Sequence, residues 1–129
     1  MRRDDRSDTL PLIADIDHIQ IAMPAGGEVA ARAFFGGLLG LVEIPKPADL
    51  VSRGGCWFAV GGLKLHLGVD LDFAPARKAH VALACPDLAE LRQRMIGAGY
   101  IIEDAKAFDG RARFFAADPF GNRIEFIDA

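Results

Sequence analysis

The chain is poor in the residues that announce several protein classes. Of its 129 residues, two are cysteine, one is tryptophan, one is tyrosine and three are histidine. Cys56 and Cys85 lie 29 residues apart and form no CxxC pair, which favours buried free thiols in a reducing compartment over a disulfide or a catalytic thiol. No apolar run approaches the roughly 20 residues that a membrane-spanning helix requires, so no membrane partner is expected. Excess basic charge is also missing. The net charge is −3 with lysine and arginine scattered, which leaves no footprint for a nucleic acid. The opening decapeptide, MRRDDRSDTL, is charged and leads into no signal-like apolar core, so residues 1–10 read as a flexible tail on a cytoplasmic protein.

What is present is written twice. HIQIAMP (18–24) and HVALACP (80–86) each begin with histidine and end with proline. Gly40 recurs as Gly99, and Gly62 as Gly121; a small insertion in the first helical region reconciles the two registers. In the later register GLKLH (62–66) falls on GNRIE (121–125), so His66 matches Glu125 and Lys64 matches Arg123. Each half reads as strand, helix and three strands, over 11–70 and 71–129, with VDLDFAPAR (69–77) as linker. In the first half a helix is expected over 28–39, with Val29, Ala33, Phe34 and Leu38 as its apolar stripe and Gly40 as its left-handed cap. LVEIP, GCWFAV and LKLHLGV supply the strands. In the second half KAHVALA is the strand, Leu88, Leu91 and Met95 make the helix stripe, and Gly99 closes it. YIIED, RARFFAA and NRIEFID complete that half.

Strand alternation sorts the polar side chains. His18, His66, His80 and Glu125 each stand among small or polar neighbours, opposite Ile19 and Ile21, Leu65 and Leu67, Val81 and Leu83, or Ile124 and Phe126. A single histidine on a strand is ordinarily a bystander. Three histidines and a carboxylate at repeat-equivalent positions, all turned from the apolar layer, instead suit a divalent transition ion. Lys64 and Arg123 lie two residues from these donors on the same face, placed to hold an anionic part of a substrate. Trp57 is a candidate for the pocket wall, while Phe58, Phe114 and Phe115 fit either wall or core.

DHIQIAMP, FFGGLLGL, AHVALACPDL and above all DPFGNRIEF resemble the vicinal oxygen chelate superfamily, which includes glyoxalases, extradiol dioxygenases and fosfomycin- and bleomycin-resistance proteins. The resemblance covers about residues 14–128. It implies an α+β fold of two tandem βαβββ modules forming a cleft or partial barrel around a metal site, with helices packed outside. It also implies that His18, His80 and Glu125 are ligands to Ni, Zn, Co, Mn or Fe, and that His66 takes a fourth-strand position usually held by glutamate or glutamine. Either Glu125 or His66 then serves as the catalytic base. The reading that follows is a metal-dependent glyoxalase-like lyase or isomerase acting on vicinal oxygens of a small molecule, as a homodimer. A ring-cleaving dioxygenase, a thiol transferase and a small-molecule binding or resistance protein without turnover are the alternatives.

Overall fold

The computed structural model of the chain describes residues 10–129. Of the expected N-terminal tail, residues 1–9 lie outside the described residues. Eight strands form two open four-stranded sheets: β1 (His18–Met23), β2 (Val42–Ile44), β3 (Cys56–Val60) and β4 (Leu63–Val69), then β5 (Val81–Cys85), β6 (Glu103–Phe108), β7 (Arg111–Ala117) and β8 (Arg123–Asp128). The sheet orders are β1-β4-β3-β2 and β5-β8-β7-β6, the same order twice. In each, the outer strand pairs in parallel with the last strand of its module and the other pairings are antiparallel. The register repeats as well. Gln20 lies opposite His66 and Ala82 opposite Glu125; Trp57 lies opposite His66 from the other side and Phe115 opposite Glu125. The duplication legible in the sequence is therefore a duplication of architecture.

Helix α1 (Glu28–Ala31) continues as a π-helix (Arg32–Leu38), in which Leu39 N–H reaches back to the Phe34 carbonyl at 2.9 Å. Its buried face is Ala31, Phe34 and Phe35, with Leu38 half-buried. Val29, expected in the stripe, is 80 % exposed, and Ala33 is exposed too. The spacing Ala31, Phe34, Phe35, Leu38 is itself a helical i, i+3, i+4, i+7 set; two adjacent phenylalanines outweigh a valine near the helix start. Gly40 and Gly99 cap their helices at φ +77° and +89°, in the left-handed region that costs other residues most. Helix α2 (Leu88–Gly97) begins at Asp87, whose carboxylate accepts from Glu90 N–H at 3.1 Å, and buries Met95. A 3₁₀ turn (Ala48–Arg53) follows β2, and β6 starts three residues later than YIIED suggested.

The helices cover the apolar sheet faces, and one core runs through both modules. It joins Phe34, Phe35, Phe58, Leu65 and Leu67 to Met95, Phe114, Ile124 and Phe126. The module boundary is also bridged by polar contacts. Asn122, 2 % exposed, donates from Nδ2 to the Ala22 carbonyl at 2.8 Å and accepts Ala76 N–H at 2.9 Å. Asp118 holds that asparagine by accepting from its backbone N–H and from Nδ2, both at 2.9 Å. The DPFGN turn thus fixes where β8, and with it Glu125, begins. Among the described residues no helix is long and apolar enough to cross a membrane.

Candidate metal centre

The core-facing and site-facing residues part as strand alternation requires. Phe58 and Phe114 are in the core, whereas Trp57 and Phe115 lie on the opposite face with the polar side chains. On the first sheet His66 sits on the central strand β4 between two rings. Trp57 stacks on it at 3.8 Å and nearly parallel, and His18 stacks from the other side at 4.3 Å. His66 is 6 % exposed, and its Nε2 is buried with no hydrogen-bond partner. Burial, followed by the neighbouring His18 and Lys64, draws its pKa below the ordinary histidine value. Lys64 lies opposite His18 in the β1–β4 register and is exposed.

On the second sheet His80, just ahead of β5, places Nε2 2.9 Å from Glu125 Oε1. Glu125 is 6 % exposed, and its Oε2 lies 3.4 Å from Arg113 Nη1. Arg123 stacks its guanidinium 3.9 Å from the Phe115 ring centre, 3.6 Å from the Glu103 carboxylate. A cavity of about 350 Å³ between β1 and β5 has Gln20, His80 and Arg123 in its wall, within the size range of small-molecule sites. A separate cavity of about 380 Å³ beside Leu38, Leu83 and Leu91 carries none of the proposed donors.

The sequence-derived donors are therefore brought together as two pairs, His18 with His66 and His80 with Glu125. Among the described residues no three histidine, cysteine, aspartate or glutamate side chains converge. The pairs nonetheless have the donor chemistry that an ion needs. His18 Nδ1 meets Asp17 Oδ2 at 2.9 Å, an interaction that lowers the Asp17 pKa, and His80 Nδ1 meets the Lys78 carbonyl at 3.0 Å. Each of those oxygens calls for the proton on Nδ1 and leaves Nε2 as the free lone pair. At His80 that lone pair would face a carboxylate, another acceptor. A neutral imidazole has one N–H and cannot serve both; a second proton or a cation resolves the conflict. Together with the partnerless Nε2 of His66, these groups have the donor chemistry a divalent ion uses, distributed over two pairs.

Sequence reasoning missed Asp17, the Lys78 carbonyl and Arg113. Arg113 had a readable signal: it shares a face with Phe115 on RARFF, two residues away. Asp17 and Lys78 act through contacts too local for alternation to show.

A face-sharing pair of histidines, a histidine–glutamate pair and duplicated βαβββ modules define a vicinal oxygen chelate superfamily protein. The chain is 46 % identical to a Bacillus anthracis protein assigned to the glyoxalase family, with a TM-score of 0.87, covering 92 % of this chain and 97 % of that one. It belongs to that family. A glyoxalase/dioxygenase from Nostoc punctiforme (22 % identity, TM-score 0.72, 92 % and 96 % of the two chains) shares the fold. So does the Listeria monocytogenes fosfomycin resistance protein FosX (15 %, 0.72, 92 % and 95 %). No protein-family model matches the chain, and no curated protein does.

Proposed function

We propose that the chain is a metal-dependent lyase or isomerase of glyoxalase type, with each centre assembled from His18 and His66 of one subunit and His80 and Glu125 of a second. The observation that carries this reading is the state of the buried donors: His66 Nε2 has no hydrogen-bond partner, and His80 Nε2 faces the buried Glu125 carboxylate while its Nδ1 already meets a carbonyl. The likeness to a glyoxalase family protein over nearly the whole chain supports the reaction class.

A divalent ion held there (Ni, Zn, Co, Mn or Fe) supplies Lewis-acid stabilisation of negative charge on paired oxygens of a small substrate. The protein's own groups do the rest. Asp17 and the Lys78 carbonyl fix the His18 and His80 rings. His66, clamped between Trp57 and His18, is a fixed ligand rather than a mobile base. Glu125 takes and returns the substrate proton, because its carboxylate rests between His80 and Arg113 and can exchange partners without leaving the site. Trp57 and Lys64 bound the substrate from the first sheet.

Elemental analysis of untagged protein tests the site. Native protein is expected to hold near one transition ion per chain, and His80→Ala, Glu125→Gln or His66→Ala to retain little; full retention in all three would refute the assignment. Turnover of a methylglyoxal–thiol adduct, without oxygen uptake on catechols, is the activity expected of the metal-loaded protein. The converse result would move the assignment to a dioxygenase, and tight metal-independent ligand binding without turnover would move it to a binding protein.

A further inference from the structure

The two sheets repeat in register, and at one repeat-equivalent position a glycine of the first is replaced by an arginine in the second. Where the first sheet has Gly55, just ahead of β3 and beside Gly68, the second has Arg113 opposite Ile127. Arg113 is built in firmly. Its Nε donates to the Lys106 carbonyl at 2.9 Å, and its guanidinium lies 5.4 Å from the Phe108 ring and 5.3 Å from Phe115. Phe108 is 57 % exposed; it stands at the β6 end, beyond a register shift between Ala105 and Phe108, in a hairpin whose turn places Asp109 at φ +54°. Phe115 carries a second guanidinium, Arg123, 3.9 Å away. Arg123 Nε is buried with no hydrogen-bond partner, and its ion pair with Glu103 is long at 3.6 Å.

Two guanidiniums on one aromatic ring, beside Glu125, leave more N–H donors than the protein satisfies. A guanidinium has five, in a planar fork matched to an oxyanion. The Arg113 contact to Glu125 is 3.4 Å, too long to saturate it. The buried Arg123 Nε is a donor whose desolvation an incoming oxyanion would offset.

We propose that Arg113 and Arg123 form an oxyanion subsite, so that the substrate carries a carboxylate or a phosphonate or phosphate group in addition to its chelating oxygens. The proposal rests on the metal-centre reading for its place in the reaction, but the subsite itself belongs to the second sheet of one chain.

Hydroxamates chelate through vicinal oxygens and separate the two ideas. Acetohydroxamate, malonate monohydroxamate and phosphonoacetohydroxamate would be titrated into the metal-loaded protein. The anionic pair is expected to bind roughly tenfold or more tightly than acetohydroxamate, and the preferred one of the two identifies the oxyanion class. In Arg123→Met that advantage should fall below about twofold while acetohydroxamate affinity is kept, and in Arg113→Met the advantage should fall likewise. Arg123→Met leaves the Glu125 contact untouched and guards against an indirect effect. Equal binding of all three probes, or an advantage that survives in the double variant, would overturn the subsite. Failure of acetohydroxamate alone would count against the metal centre. In that event methylphosphonate and acetate, followed through the Arg123 Nε–Hε NMR signal of metal-free protein, still decide the subsite: a saturable shift supports it and its absence refutes it.

Discussion

Cys56 illustrates how burial decides chemistry at a single residue. It is 1 % exposed, and burial pushes its thiol up to about 11; Cys85, 7 % exposed, is raised for the same reason. At pH 8 only on the order of a thousandth of Cys56 is thiolate, the reactive form. Native protein should therefore resist a thiol reagent such as dithiobis-nitrobenzoate, with both thiols reacting once urea unfolds it. Rapid reaction of one thiol in native protein would contradict this. Composition had pointed to buried free thiols, because an isolated cysteine pair without CxxC spacing offers neither a framework nor a metal clip. The histidines were legible for another reason: alternation assigns a face with certainty once a strand is recognised. What alternation could not supply was distance. That His18 lies against His66, and His80 against Glu125, follows from the β1–β4 and β5–β8 pairings, which no local pattern encodes.

Among the elements, the start of β3 is the most constrained. Gly55 N–H donates to Glu28 Oε2 at 2.7 Å, and the Lys46 ammonium donates to the Gly54 carbonyl. Gly55 has φ +83°, and a β-carbon there would collide with the Leu67 carbonyl of β4. This clamp ties α1 to the strand that carries Trp57. Gly55→Ala should cost on the order of 4 kcal/mol or more, read as a shifted urea midpoint. Glu28→Ala should cost roughly 1–3 kcal/mol at neutral pH, as expected for a lost charge-assisted hydrogen bond. The Gly55 N–H lowers the Glu28 pKa from 4.5 in the fold. Its contribution is thus complete above that value and is lost as the pH falls through the folded pKa, so native protein and Glu28→Ala should converge in stability under strong acid. A variant gap that stays constant down to pH 2 would contradict this. The π-helical continuation of α1 escaped sequence reading, since Phe34–Phe35 fits α and π spacing alike and the choice is made by packing against Phe58 and Tyr100.

At the scale of the molecule, the single core and the Asn122 bridge hold the modules in a fixed relation that keeps the two donor pairs apart within one chain. The sequence predicted the modules, their internal order and the donor faces. Which donors would meet within a chain depends on how the sheets are set against each other, and that is decided by long-range packing. The proposed assembly of each centre from two subunits makes a sharp prediction for mixtures. His66→Ala and Glu125→Gln proteins should each be inactive alone. Refolded together they should recover about a quarter of native activity, because half the dimers are mixed and each has one intact centre of two. No recovery would place both pairs of a centre in one chain.

Trp57 is the sole tryptophan of the chain and lies flat against His66. The protein therefore carries its own optical gauge. Cobalt or nickel arriving at the imidazole should dim the indole emission, closed-shell zinc should leave it bright, and the His66→Ala protein should lose that distinction.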